Sequence, residues 1–117
     1  MAVVGVGIDV VDVERFMTKI DATPALRERL FAPEERDLPP NSLAGRFAAK
    51  EALAKALGAP GGLRWVDAVV VKDEHGQPSW QIVDTVAARA AHLGVAHLHL
   101  SISHDAGIAS AVVIAET

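Results

Sequence analysis

The chain predicts an α+β fold, with helices packed on a mostly antiparallel sheet around one long central helix. Three observations carry this. Residues 3–11 form an apolar run with a period of two, as a strand requires. Residues 42–57 repeat small and apolar side chains at helical spacing over the longest such stretch of the chain. Beyond it, two pairs of strand-like segments are joined by the turn sequences Asp73-Glu74-His75-Gly76 and Asp105-Ala106-Gly107.

The elements follow in order. In the first strand Val4, Val6, Ile8 and Val10 share one face, and Val3, Gly5, Gly7, Asp9 and Val11 share the other. Both faces are nearly apolar, which predicts a central strand. Gly5 and Gly7 leave room for a close approach to the backbone beside Asp9. Asp12 is placed to cap a short helix over 13–20. Thr23-Pro24 opens a second helix that runs to Leu30 or Phe31. Pro33-Glu34-Glu35-Arg36 starts another turn, which Pro39-Pro40 ends. In the helix over 42–57, Ala48, Ala52 and Ala56 make a ridge that lets another backbone come close. Gly58 is its stop, with Pro60 and Gly61-Gly62 behind it. Strands over 66–72 and 79–83 form a hairpin, a helix over 84–93 closes at Gly94, and strands over 96–104 and 108–115 complete the chain. In the first of this last pair His97, His99, Ser101 and Ser103 oppose Leu98, Leu100 and Ile102. With no repeat, linker or low-complexity tract, residues 1–117 read as a single domain.

Composition narrows the function classes. Half of the 117 residues are hydrophobic and 22% are charged, so the chain folds around a real core. Only 4% are aromatic, so that core is aliphatic and rich in alanine, and added burial at a subunit interface is expected. A net charge of -4 argues against general nucleic-acid binding but leaves room for a local basic patch. No cysteine is present, which rules out disulfides and thiolate metal sites and agrees with a cytoplasmic home. The apolar run at 3–11 is broken by Gly5, Gly7 and Asp9, so it is neither a signal peptide nor a membrane span, and no membrane partner is expected.

Chemistry concentrates at a few positions. Asp9 sits inside a valine strand and must be paired, hydrogen-bonded or bound to a cation. Glu51 lies in the alanine-rich helix with Arg46, Lys50 and Lys55 close by in sequence. Arg46 and Lys50 are four apart, as are Glu51 and Lys55, which is ordinary helix-stabilising spacing but also fits a cationic cluster for a polyphosphate. Should Asp9 and Glu51 meet, they would make a hard-cation site. His104 ends a strand beside Asp105, where a carboxylate could orient an imidazole. His97 and His99 share a face but lack a third ligand at zinc spacing. Gly5-Val6-Gly7 is not a dinucleotide fingerprint, and no phosphate-binding Gly-Lys-Ser motif is present.

Gly5-Val6-Gly7-Ile8-Asp9-Val10, Gly45-Arg46-Phe47-Ala48-Ala49-Lys50-Glu51-Ala52 and Ser101-Ile102-Ser103-His104 resemble, in that order, the holo-acyl-carrier-protein synthase family, the small 4′-phosphopantetheinyl transferases. The resemblance spans residues 4–114. It implies transfer of the phosphopantetheine arm of coenzyme A to a serine of an acyl carrier protein, with release of adenosine 3′,5′-bisphosphate. It further implies Mg²⁺ held by Asp9 and Glu51, and coenzyme A phosphates met by Arg46, Lys50, Lys55 and His104. Arg15 matches a position facing the acidic carrier, with Arg27 or Arg29 near it, and a homotrimer with shared sites is implied. The stretch from Leu30 to Ser42, with its Pro39-Pro40 pair, is shorter than in many members of the family, so the resemblance assigns no helix and no carrier contacts there. For the proton on the attacking serine, three acceptors stand open: a metal-bound water, Glu51 through water, or His104 with Asp105. The other class to weigh is a non-catalytic coenzyme A-binding or assembly module, though such a module would be free to lose one of the two carboxylates.

Overall fold

Alternating valines make β1 (Val3–Asp12), and the chain leaves it through Asp12, whose side chain accepts a hydrogen bond from Arg15 N at 3.0 Å and so caps α1 (Val13–Ala22). The computed structural model describes residues 1–117. It continues through α2 (Pro24–Leu30), a short 3₁₀ turn at Pro33–Glu35, and α3 (Pro40–Ala56). Pro40 is the first residue of α3, a place where its missing N–H costs nothing, so the Pro39-Pro40 pair opens the long helix instead of only closing the turn before it. Gly58 ends α3 with a φ of +87°, a left-handed conformation that suits glycine.

A second 3₁₀ turn, Trp65–Asp67, leads to the hairpin of β2 (Ala68–Lys72) and β3 (Pro78–Ile82), then α4 (Asp84–His92), β4 (His97–Asp105) and β5 (Ile108–Glu116). β4 and β5 are joined by two residues, Ala106 and Gly107, both at positive φ (52° and 76°) as a tight hairpin turn demands. All pairings are antiparallel. β2 and β3 form a two-stranded sheet, and a three-stranded sheet has the order β1-β5-β4.

That order corrects the expectation of a central first strand: β1 is at an edge and β5 is in the middle. Its two apolar faces have separate causes. The inner face packs on α3, while Val6, Ile8 and Val10 on the outer face are 59%, 62% and 60% exposed in the single chain. The object that comes close to Gly5 and Gly7 is the backbone of α3. A Cβ at either glycine would collide with the carbonyl of Ala56 or Ala52, so glycine on the strand and alanine on the helix let the two backbones touch. Ala48, Ala52 and Ala56 are all buried along this seam.

Candidate active site

The seam between β1 and α3 opens into the widest cleft of the molecule, with about 520 Å³ of space. Its floor is apolar: Phe16 and Phe47 stack with centroids 4.8 Å apart, and Phe47 leans on Trp65 at 5.8 Å. Its rim is charged, with Asp9 from β1, Glu51 and Lys55 from α3, Arg15 and Lys19 from α1, and Arg29 from α2.

Asp9 and Glu51, forty-two positions apart, line this one cleft. Burial pushes the Glu51 carboxyl above the ordinary carboxylate range, the charge of Asp9 pushes it further, and Lys55 opposes both. Lys55 Nζ donates to Ile8 O at 2.8 Å and to Asp9 Oδ1 at 3.2 Å. It therefore stands as the cation at an otherwise like-charged pair. No cluster of three or more His, Cys, Asp or Glu side chains occurs at any one place. Two oxygen-only ligands on an open rim fit Mg²⁺, a hard ion that keeps several waters and takes its other oxygens from a phosphate ligand. Arg15 and Lys19 lie one helical turn apart on the same face of α1, a spacing from which Lys19 is legible as a companion to Arg15, which the resemblance alone marks. Arg27 is tied inward, to Arg36 O at 2.6 Å and Asp21 at 3.3 Å, which leaves Arg29 as the arginine of α2 that faces the cleft.

Two expected cations lie elsewhere. Lys50 is turned inward, and its three donors are all used: Glu35 Oε1 at 2.7 Å, Leu30 O at 2.8 Å and Trp65 O at 3.1 Å. Arg46, on the same helical face, is buried with its Nε 3.9 Å from Glu35 Oε2. Burial lowers the pKa of both, and Glu35 opposes the shift in each. Glu35 was not legible as part of this cluster, because it pairs with Lys50 across fifteen residues and no local spacing announces it.

His104 is at the other end of α3. Its Nε2 donates to Asn41 O at 2.8 Å; a carbonyl can only accept, so this nitrogen carries a proton and Nδ1 is the one left to act. Gly45 is free of a side chain where the imidazole packs, since a Cβ there would come within 2.7 Å of Nε2. The imidazole packs on Gly45, six residues and about 9 Å along the helix axis from Glu51, and His104 does not line the cleft. The structure thus does not bring His104 to the two carboxylates within one chain. Nor does it bring Asp105 to His104: neighbours in a strand point to opposite faces, and β4 runs through both. His99 instead pairs with Glu116 on the outer face at 2.9 Å.

Comparison with known proteins agrees with this architecture. Residues 5–113 match the family model of the 4′-phosphopantetheinyl transferase superfamily. A holo-[acyl-carrier-protein] synthase of Beutenbergia cavernae is 62% identical over 97% of this chain and 98% of its own, and one of Streptomyces coelicolor is 61% identical over 99% of each. Among solved structures, the holo-[acyl-carrier-protein] synthase of Neisseria meningitidis superposes with a TM-score of 0.87 at 30% identity, covering 99% of this chain and 100% of that one. The Helicobacter pylori enzyme in complex with coenzyme A gives 0.82 at 32% identity, covering 95% and 99%. With the family model spanning nearly the whole chain and curated relatives at about three-fifths identity, the chain belongs to the 4′-phosphopantetheinyl transferase superfamily, in its holo-[acyl-carrier-protein] synthase group, enzymes that move phosphopantetheine from coenzyme A to an apo acyl carrier protein.

Proposed function

We propose that the β1–α3 cleft is where this transfer takes place, with Asp9 and Glu51 as the ligands of a Mg²⁺ ion. The observation that carries the reading is the convergence of these two carboxylates, from elements far apart in sequence, on one cleft beside Lys55. When bound there, Mg²⁺ supplies charge neutralisation at the pyrophosphate of coenzyme A and fixes its oxygens for in-line displacement. Lys55 Nζ, half exposed and with one donor unspent, turns from Asp9 to a phosphate oxygen. The carrier serine oxygen forms a new P–O bond as the bridging P–O bond to adenosine 3′,5′-bisphosphate breaks. Glu51, on the rim of the same cleft, receives the serine proton through a water. The aromatic floor of Phe16, Phe47 and Trp65 excludes solvent on one side.

His104 lies too far along α3 to serve this cleft in its own chain. The uncovered Val6, Ile8 and Val10 call for a partner surface, and we read both facts as a homotrimer in which the His104 of one protomer completes the coenzyme A site of the next. Arg15, with Lys19 and Arg29, forms the local basic patch that receives the acidic carrier on a chain of net charge -4. No helix is long and apolar enough to cross a membrane. A cytoplasmic role in loading carriers for fatty-acid and other lipid biosynthesis fits this chemistry. Mass spectrometry of an apo acyl carrier protein incubated with coenzyme A, Mg²⁺ and this protein tests the reading. A gain of one phosphopantetheine on the carrier is expected, and it disappears in Asp9→Asn. An unmodified carrier at any Mg²⁺ concentration would favour the non-catalytic module.

A further inference from the structure

Glu35 and Lys50 are the two least exposed ionisable residues of the protein, Arg46 is buried beside them, and the transfer chemistry does not use Glu35 directly. Its Oε1 accepts from Lys50 Nζ at 2.7 Å and from Ala32 N at 3.1 Å. Its Oε2 has no hydrogen-bond partner, and neither has Arg46 Nε, 3.9 Å away. One buried carboxylate thus balances two cations. Lys50 Nζ in turn grips two other chain segments, at Leu30 O (the end of α2) and at Trp65 O. Leu30 and Trp65 are both walls of the cleft, and Glu51 is the residue next to Lys50 on α3. A single ammonium group therefore joins three of the segments that line the cleft: α2, the Trp65 turn and α3.

We propose that Glu35 is a positioning residue for the transfer reaction: by fixing Lys50 Nζ at the junction of Leu30 O and Trp65 O, it sets the α2 wall, and with it Arg29, at the spacing from Glu51 that the carrier protein requires. This rests on the reading of the cleft as the transfer site. Without the carboxylate, Lys50 and Arg46 are left as buried like charges with no counterion between them. The ammonium then has reason to leave this position, and the two carbonyls lose a common donor. The effect falls on the walls and not on the carboxylate pair itself, because Asp9 and Lys55 make no contact with this cluster in the hydrogen-bond network.

The test is Glu35→Gln in the full chain, with kinetics against the carrier and a direct calorimetric Kd for coenzyme A, both well below the melting temperature of the variant. KM for the carrier should rise by about tenfold, with the Kd for coenzyme A within about twofold of wild type. The double variant Glu35→Gln/Lys50→Met leaves Arg46 as the one cation of the cluster and ends its repulsion with Lys50, so it should regain stability relative to the single variant while the raised KM persists. It also gives the same kinetic readout should the single variant fail to fold. A wild-type KM in a folded variant, or joint recovery of stability and KM in the double variant, would reduce the cluster to a purely structural role and overturn the proposal. A Kd for coenzyme A that rises in step would place Lys50 in the coenzyme site and overturn it too. A wild-type protein that leaves the carrier unmodified would instead refute the transfer reading itself.

Discussion

Gly7→Ala tests whether the seam between β1 and α3 sets the geometry of the carboxylate pair. The added Cβ would collide with Ala52 O and lie 2.8 Å from Ala52 C and 2.9 Å from Ala56 N, all backbone atoms that cannot rotate away. Ordinary carbon contacts are about 3.5–4.0 Å, so these two contacts alone require strand and helix to part by roughly 1 Å, and the closer Ala52 O requires more. Overpacking of this kind costs about 1–3 kcal/mol. Glu51 precedes Ala52 on the displaced helix and Asp9 is two residues from Gly7, so the separation also changes between the two carboxylates. A misplacement of about 1 Å at reacting groups costs about 10²-fold in rate. Thermal melts and kcat/KM for phosphopantetheine transfer should therefore both fall, the rate by about two orders of magnitude while the variant is fully folded. Gly61→Ala is the control, since nothing lies within 4 Å of its Cβ and its φ is not positive; it should change neither quantity. A Gly7→Ala protein that melts earlier yet keeps its rate would refute the link between seam and site.

Other perturbations read separate parts of the account. Arg15→Glu should raise KM for the carrier and leave that for coenzyme A nearly unchanged, with a penalty that shrinks as salt rises, because exposed charges are screened within about 10 Å at 0.1 M; an altered KM for coenzyme A alone would move the docking patch elsewhere. Ile8→Glu places a charge on the uncovered sheet face without touching the core, so sedimentation should show a monomer with little transfer activity, and an active trimer would contradict the interface. Glu51 is a carboxyl whose folded pKa is raised, so its contribution to stability is fully present below the unfolded carboxylate value and is lost as pH rises through the folded one. Glu51→Gln should thus raise the melting temperature of the metal-free protein at pH 7 and have no such effect in acid, and equal melting at both pH values would show that the raised pKa is absent.

Much of this was legible because it is local. Asp12 as a cap, Gly58 and Gly94 as helix stops and the alternation of β4 depend on a few neighbouring residues, and the structure has each of them. The glycines of β1 and the alanines of α3 could be read as two surfaces made for close approach, although nothing in the sequence says that they meet each other. What could not be read was set by tertiary partners. An edge strand with an uncovered apolar face has the same letters as a central strand, so β1 was misplaced. The helix periodicity puts Arg46 and Lys50 on one face but does not say whether that face meets solvent or Glu35. For His104 and Asp105, adjacency in sequence suggested a pair that the period of two in a strand forbids. The acidic pair itself was legible from an aspartate in an apolar strand and a glutamate among cations, because burying either alone is costly.

Calorimetric titration of Mg²⁺ into the protein saturated with coenzyme A bears most directly on the central claim, that Asp9 and Glu51 together hold the cation of the transfer site. The account predicts one Mg²⁺ per site in the wild type, with affinity reduced at least about tenfold by Asp9→Asn and by Glu51→Gln alike, since on this proposal each variant removes one of two protein ligands. Binding should also weaken on acidification from a higher pH than an ordinary carboxylate would require, because Glu51 must be ionised to bind. Unchanged Mg²⁺ affinity in either folded variant would contradict it.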